Sequence, residues 1–126
     1  MDGLHLTADL RGCKVEFAAM TDAGALRAVC LAAVSQAGLA AVGELFHRFP
    51  APGGVTGVVL LAESHLAVHT WPELEAVTLD VYVCNYGCDN SGRAHALLAS
   101  LIDAFGPASV ERQVLHRGGM QPAVAA

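Results

Sequence analysis

Positive charge is scarce in this chain: 7 Lys and Arg stand against 12 Asp and Glu, a formal net charge of −5 over 126 residues. With no basic run and no basic residues interleaved with aromatics, the chain has little with which to hold phosphates, and nucleic-acid binding is not expected. No apolar run approaches the roughly 18 residues of a membrane span, and Val58 to Ala62 is far too short. The N-terminus lacks the basic and apolar regions of a secretory signal, so a cytosolic protein without membrane association is expected. In that compartment Cys13, Cys30, Cys84 and Cys88 are expected as free thiols. Charged residues make up 15% and hydrophobic ones 54%, much of it alanine. A chain of this length buries roughly two-thirds of its unfolded surface around one core, and residues 1–126 read as a single domain.

Leu4 to Leu10 alternates weakly and predicts a first strand. Thr21 and Asp22 are candidate helix caps. Leu26, Val29, Cys30, Ala33, Val34 and Ala37 follow at helical spacing, and Gly38 is placed to end the helix. Leu39 to Arg48 reads as a strand and Pro50, Pro52, Gly53 and Gly54 as a loop. Val55 to Ala62 is apolar at nearly every position, the pattern of a strand covered on both faces. His65 to Thr70 is a short strand broken by Trp71-Pro72-Glu73. Ala76 to Cys84 alternates, with Thr78, Asp80, Tyr82 and Cys84 on the polar side. Asp89, Asn90 and Ser91 precede a second helix whose stripe is Ala94, Leu97, Leu98, Leu101, Ile102 and Phe105, with Gly106 and Pro107 as its stop. Ser109 to His116 reads as a final edge strand and the tail from Gly118 as frayed.

The order β-α-β-β-β-β-α-β predicts an α+β fold, a two-layer sandwich with a mostly antiparallel sheet and two helices on one face. A strand apolar on both faces needs cover on the other side as well. A second copy of the chain supplies it, as a homodimer with sheets face to face.

The chemistry concentrates at Ala62-Glu63-Ser64-His65-Leu66-Ala67-Val68-His69-Thr70-Trp71-Pro72-Glu73. A serine follows a glutamate at the end of an apolar strand, and His69 lies five residues on. The expectation is that a hydroxyl, a backbone carbonyl and an imidazole share one sharp bend. A serine hydroxyl is a weak nucleophile without a base and geometry to help it. Held against the preceding carbonyl, it can exchange the amide for an ester. The oxyanion formed on the way needs a donor, His69 can move protons, and Thr56, which shares strand parity with Ser64, could donate a hydrogen bond.

This segment closely resembles the self-cleavage site of the prokaryotic S-adenosylmethionine decarboxylase proenzymes. The resemblance extends over roughly Gly3 to His116. It includes His47-Arg48-Phe49, Gly54-Val55-Thr56-Gly57-Val58-Val59 and Asp80-Val81-Tyr82-Val83-Cys84. It implies a self-processing, pyruvoyl-dependent carboxy-lyase that cuts itself between Glu63 and Ser64 into a 1–63 β chain and a 64–126 α chain. Ser64 would become the pyruvoyl cofactor and carry the substrate as a Schiff base. The implied product is decarboxylated S-adenosylmethionine for spermidine synthesis. By the same resemblance His69 and Thr56 assist processing and Cys84 is the proton donor. Phe49, Trp71 and Glu73 are substrate contacts, with Glu73 a candidate acceptor for a ribose hydroxyl.

The sequence departs from the family pattern in places. Where many members carry Gly-Arg-His, this chain has Gly3-Leu4-His5, losing a positive charge. Asp9 stands where a glutamate is common. Pro50-Ala51-Pro52-Gly53 is one residue longer than usual, beside Phe49. These departures leave room for a basic amino acid, ornithine or arginine, as an alternative substrate, with an acidic group freed to meet its cationic tail. A non-enzymatic reading also stands: an uncleaved homologue, or a metal-binding protein using His65, His69, Cys84 and Cys88. In the enzyme readings no metal is expected.

Overall fold

The structure is a computed structural model that describes residues 1–123; the last three residues of the tail lie outside the described residues. Among the described residues there are six strands and two α-helices. They are β1 (Asp2–Arg11), α1 (Ala23–Gln36), β2 (Ala41–Arg48), β3 (Val55–Leu61), β4 (Ser64–Trp71), β5 (Ala76–Cys84), α2 (Ser91–Phe105) and β6 (Ser109–Gly118). Short 3₁₀ turns sit at Ala18–Met20 and Pro72–Leu74. The strands form one sheet in the order β2-β3-β4-β5-β1-β6, and each neighbouring pair among the described residues is antiparallel.

Both helices lie on one face. Leu4, Leu6, Ala8 and Leu10 of β1, Leu66 and Val68 of β4, and Val77, Leu79, Val81 and Val83 of β5 point toward them and are buried. The helix α1 offers Leu26, Cys30, Ala33 and Val34 to this core, starts at Asp22, whose carboxylate accepts the Ala25 N–H, and ends before Gly38 at φ 78°. The α2 stripe is buried at all six predicted positions, and Phe105 meets the Phe17 ring edge-on. Its start is held by the Asp89 carboxylate, which accepts the Ser91 N–H at 2.9 Å.

The strand from Val55 differs from its sequence pattern. Val55, Gly57, Val59 and Leu61 are buried toward the helices, whereas Thr56 and Val58 are only partly covered and Leu60 is 49% exposed. An apolar run of this kind predicts cover on both faces, but the helices supply one layer and the chain has no second. The face away from them stays open, and Leu45, Leu60 and Leu115 stand exposed on it. The end of β6 is better held than a frayed tail, since it pairs with β1 through Asp2 and Gly118 and Met120 N–H bonds the Met1 carbonyl.

Among the glycines demanded by contact are Gly54 and Gly57. A Cβ at Gly54 would come within 2.6 Å of the Thr70 carbonyl oxygen, and one at Gly57 within 2.2 Å of the Phe46 ring. Thr70 itself is the buried polar residue of this corner. Its hydroxyl accepts the Val55 N–H at 2.8 Å and donates to the Met20 carbonyl at 2.7 Å, tying β3 and β4 to the segment before α1.

Candidate active site

The β3–β4 hairpin carries most of the expected chemistry, and an antiparallel register decides where each part falls. Leu61 pairs with Ser64 at the turn, and Thr56 pairs with His69 at the opposite end. Strands rise about 3.3 Å per residue, so Ser64 and His69 are separated by about 16 Å along β4. Sequence closeness therefore misleads here: the five-residue spacing runs along an extended strand, not around a bend. Parity with Ser64 does not carry Thr56 to it either, because the chain reverses between them.

At the turn, Ala62 and Glu63 are exposed and Ser64 is partly buried. The Ser64 Oγ accepts the backbone N–H of Cys84 at 3.1 Å, across the β4–β5 pair. Cys84 is 8% exposed, and its Sγ accepts the Tyr86 N–H at 3.4 Å. The Cys84 carbonyl accepts from the Asn90 side chain at 2.9 Å, and the Asn90 N–H donates to the Asn85 side chain at 2.8 Å. The thiol at the end of β5 is thus braced by the loop leading into α2. Ser64 and Cys84 form one half-site.

The other half-site gathers Thr56, His69, Phe49, Trp71 and Glu73 around a cleft of about 360 Å³. Thr56 Oγ1 lies 3.0 Å from His69 Nδ1. Phe49 and Trp71, 49% and 44% exposed, give the cleft two aromatic walls open to solvent. The Phe49 ring meets His47 edge-on at 4.7 Å, and its backbone N–H bonds Gly54 to close the Pro50–Gly53 loop. That loop forms one rim through Pro50 and Pro52. Cys84 and Ser64 do not line this cleft.

Leu4 is 4% exposed and points into the helix-side core. The Leu4 position therefore lies on the face opposite the Thr56–His69 cleft. The four-residue metal set also fails to assemble. His65 and His69 lie about 13 Å apart along β4, and His69 is engaged with Thr56.

A cluster that sequence reading missed lies mid-sheet on the open face. Asp80 Oδ2 is 2.8 Å from His5 Nε2 and 2.9 Å from His65 Nε2. Arg117 reaches His5 Nδ1 at 3.3 Å and stacks its guanidinium over Tyr82 at 4.8 Å. A guanidinium only donates, so His5 Nδ1 accepts and its Nε2 carries the proton given to Asp80. These three side chains are close enough to hold a metal ion, yet the tautomer fixed by Arg117 places a proton on the nitrogen a metal would need. The arrangement is a closed hydrogen-bond network. Strand alternation put each residue on its face, but only the β4-β5-β1 order brings them together.

The family described as S-adenosylmethionine decarboxylase matches residues 4–118. The chain belongs to the S-adenosylmethionine decarboxylase family. It is 36% identical over 116 residues to an S-adenosylmethionine decarboxylase proenzyme from Archaeoglobus fulgidus, covering 92% of this chain and 97% of that one. It is 40% identical over 116 residues to a proenzyme of the same name from Symbiobacterium thermophilum, covering 92% and 83%. The crystal structure of the adenosylmethionine decarboxylase from Aquifex aeolicus superposes with a TM-score of 0.84 at 32% identity, covering 98% of this chain and 97% of that one. The α+β architecture, with its open six-stranded sheet and two helices, is therefore that of a solved family member.

Proposed function

We propose that this chain is a precursor that cuts itself after Glu63, turns Ser64 into a pyruvoyl group, and then decarboxylates S-adenosylmethionine as a cytosolic homodimer. The observation that carries the reading is the seat of Ser64 at an exposed turn, its Oγ accepting the Cys84 N–H. That bond uses an oxygen lone pair and leaves the hydroxyl proton free for a base.

The serine fits the precursor of a pyruvoyl group chemically. Its Oγ adds to the Glu63 carbonyl carbon, the amide C–N bond breaks and the Ser64 nitrogen takes up a proton, leaving an ester. Loss of the Ser64 Cα proton then expels the Glu63 carboxylate. Water, which reaches this exposed turn, replaces the nitrogen and releases ammonia. A pyruvoyl group at residue 64 would supply a ketone to hold a substrate amine and a sink for the electron pair left by carbon dioxide.

The remaining work falls to the chain. Cys84, fixed beside residue 64, holds a proton to return to the substrate carbon. Phe49 and Trp71 offer two faces between which a nucleobase can stack. Glu73 on the same cleft accepts from ribose hydroxyls. His69, paired with Thr56, moves protons during processing.

The two half-sites lie at opposite ends of β4, which argues for the dimer. A twofold axis between two stacked sheets, perpendicular to the strands, reverses their direction and sets the Ser64 end of one protomer over the His69 end of its partner. The same packing covers Leu45, Leu60 and Leu115. The first test is the intact mass under denaturing conditions. Pieces 1–63 and 64–126, the second with a keto-blocked N-terminus, support the reading, and carbon dioxide released from S-adenosylmethionine but not from ornithine or arginine completes it. A single uncut mass refutes self-processing.

A further inference from the structure

Among the described residues two non-glycine positions have positive φ, Glu63 at 55° and Glu75 at 50°. An L-residue in this left-handed conformation crowds its Cβ against the following carbonyl oxygen, and such strain persists only where the surroundings impose it. At Glu63 the imposing structure is visible. The pairs Leu61–Ser64 and Leu60–His65 close a two-residue loop of Ala62 and Glu63. Positive φ at the second loop position alone is not the combination that follows the twist of paired strands. Glycine or asparagine would occupy this position at low cost, yet the chain places an exposed glutamate there.

We propose that left-handed Glu63 is a positioning residue for self-cleavage, its strain held against the one carbonyl that Ser64 attacks. The inference rests on the reading that Ser64 cuts the chain. In a left-handed L-residue with a planar amide, Cβ crowds the carbonyl oxygen. When Oγ bonds to that carbon the C=O pair moves onto oxygen, the carbon becomes tetrahedral and the oxygen leaves the crowded plane. The strain is present before attack and diminished at the transition state, so it lowers the barrier. Glu75 is a built-in comparison. It closes the Pro72–Leu74 turn at a similar positive φ, but Ala76 follows it and its carbonyl accepts the Cys13 N–H at 2.8 Å.

The test compares E63G with E63A in the full chain. Both lack the carboxylate and differ only at Cβ, so the rate between them reports backbone strain. E63G is expected to cleave about 5- to 30-fold more slowly than E63A, the rate equivalent of about 1–2 kcal/mol. With Ser64→Ala added to both, E63G should unfold at higher denaturant than E63A. Slower cleavage together with a more stable precursor is a pairing that simple damage to the fold does not produce. E75G should gain stability with no change in cleavage. If E63G or E63A does not fold, E63N against E63Q repeats the comparison, since asparagine tolerates positive φ better. Equal or faster cleavage by E63G overturns the inference while leaving self-processing intact. A wild-type chain that never cuts overturns both.

Discussion

If the catalytic groups are shared between protomers, two inactive variants should repair one another. Ser64→Ala removes the nucleophile, and His69→Ala removes the imidazole at the far end of β4, about 16 Å away along the strand. Alone, each is expected to stay uncut or to cut very slowly. Co-expressed in equal amounts with different tags, they form about half mixed dimers. Each mixed dimer holds one intact pairing, the Ser64 of one chain facing the His69 of the other, and one pairing that has lost both groups. Only the His69→Ala chain of a mixed dimer can be cut, so about a quarter of all chains should split after Glu63. Denaturing electrophoresis with tag-specific detection reads this fraction and shows which chain was cut. The expectation follows from the register, because a partner within one chain would have to span the length of a strand. If both tags co-purify and yet no His69→Ala chain is cut, the halves are not completed in trans.

Two further predictions concern the scaffold. Thr70→Val keeps the shape but removes the hydroxyl bonded to Val55 N–H and the Met20 carbonyl, and should cost about 2–4 kcal/mol; a fall in melting temperature of less than a few degrees would count against the Thr70 bridge. Burial pushes the Cys30 thiol from 9.0 up to about 12. Its stabilising contribution is therefore fully present below pH 9, where both folded and unfolded thiols are protonated, and is lost between pH 9 and about 12 as the unfolded chain ionises first. The slope is up to about 1.4 kcal/mol per pH unit. Urea midpoints across that range should fall less steeply for Cys30→Ala than for the wild type, and parallel alkaline limbs would refute the assignment.

Much of the architecture was legible because local patterns were reinforced by tertiary packing. The α2 stripe from Ala94 to Phe105 is buried at each expected position, and Gly106 ends the helix in the left-handed conformation. The alternation from Ala76 to Cys84 correctly assigned Asp80 to the face away from the helices. What could not be read was anything set by strand order. His5, His65 and Asp80 are far apart in sequence and meet because β1, β5 and β4 are neighbours. The separation of Ser64 from His69 was hidden for a related reason, since a five-residue spacing is short in a helix or a bend and long in a strand. Leu4 shows the same limit in reverse. Its side chain belongs to the core, a placement that the weak alternation of β1 did not settle from sequence.

The sheet order also bears on whether the proposed cut at the centre of the chain would leave the fold intact. Residues 1–63 contribute β1, β2 and β3, and residues 64 onward contribute β4, β5 and β6. In the sheet these are interleaved as β2-β3-β4-β5-β1-β6, so three ladders, β3–β4, β5–β1 and β1–β6, join one piece to the other. The helices share one core: α1 from the first piece and α2 from the second pack on the same face, and Phe17 of one meets Phe105 of the other at 5.5 Å. A cut after Glu63 severs only a two-residue loop at the surface. It costs the closure entropy of that loop, which is small beside three ladders and a common core. If the chain is cut there as proposed, β1, buried between two strands of the other piece, would keep the fragments together after the covalent link had gone.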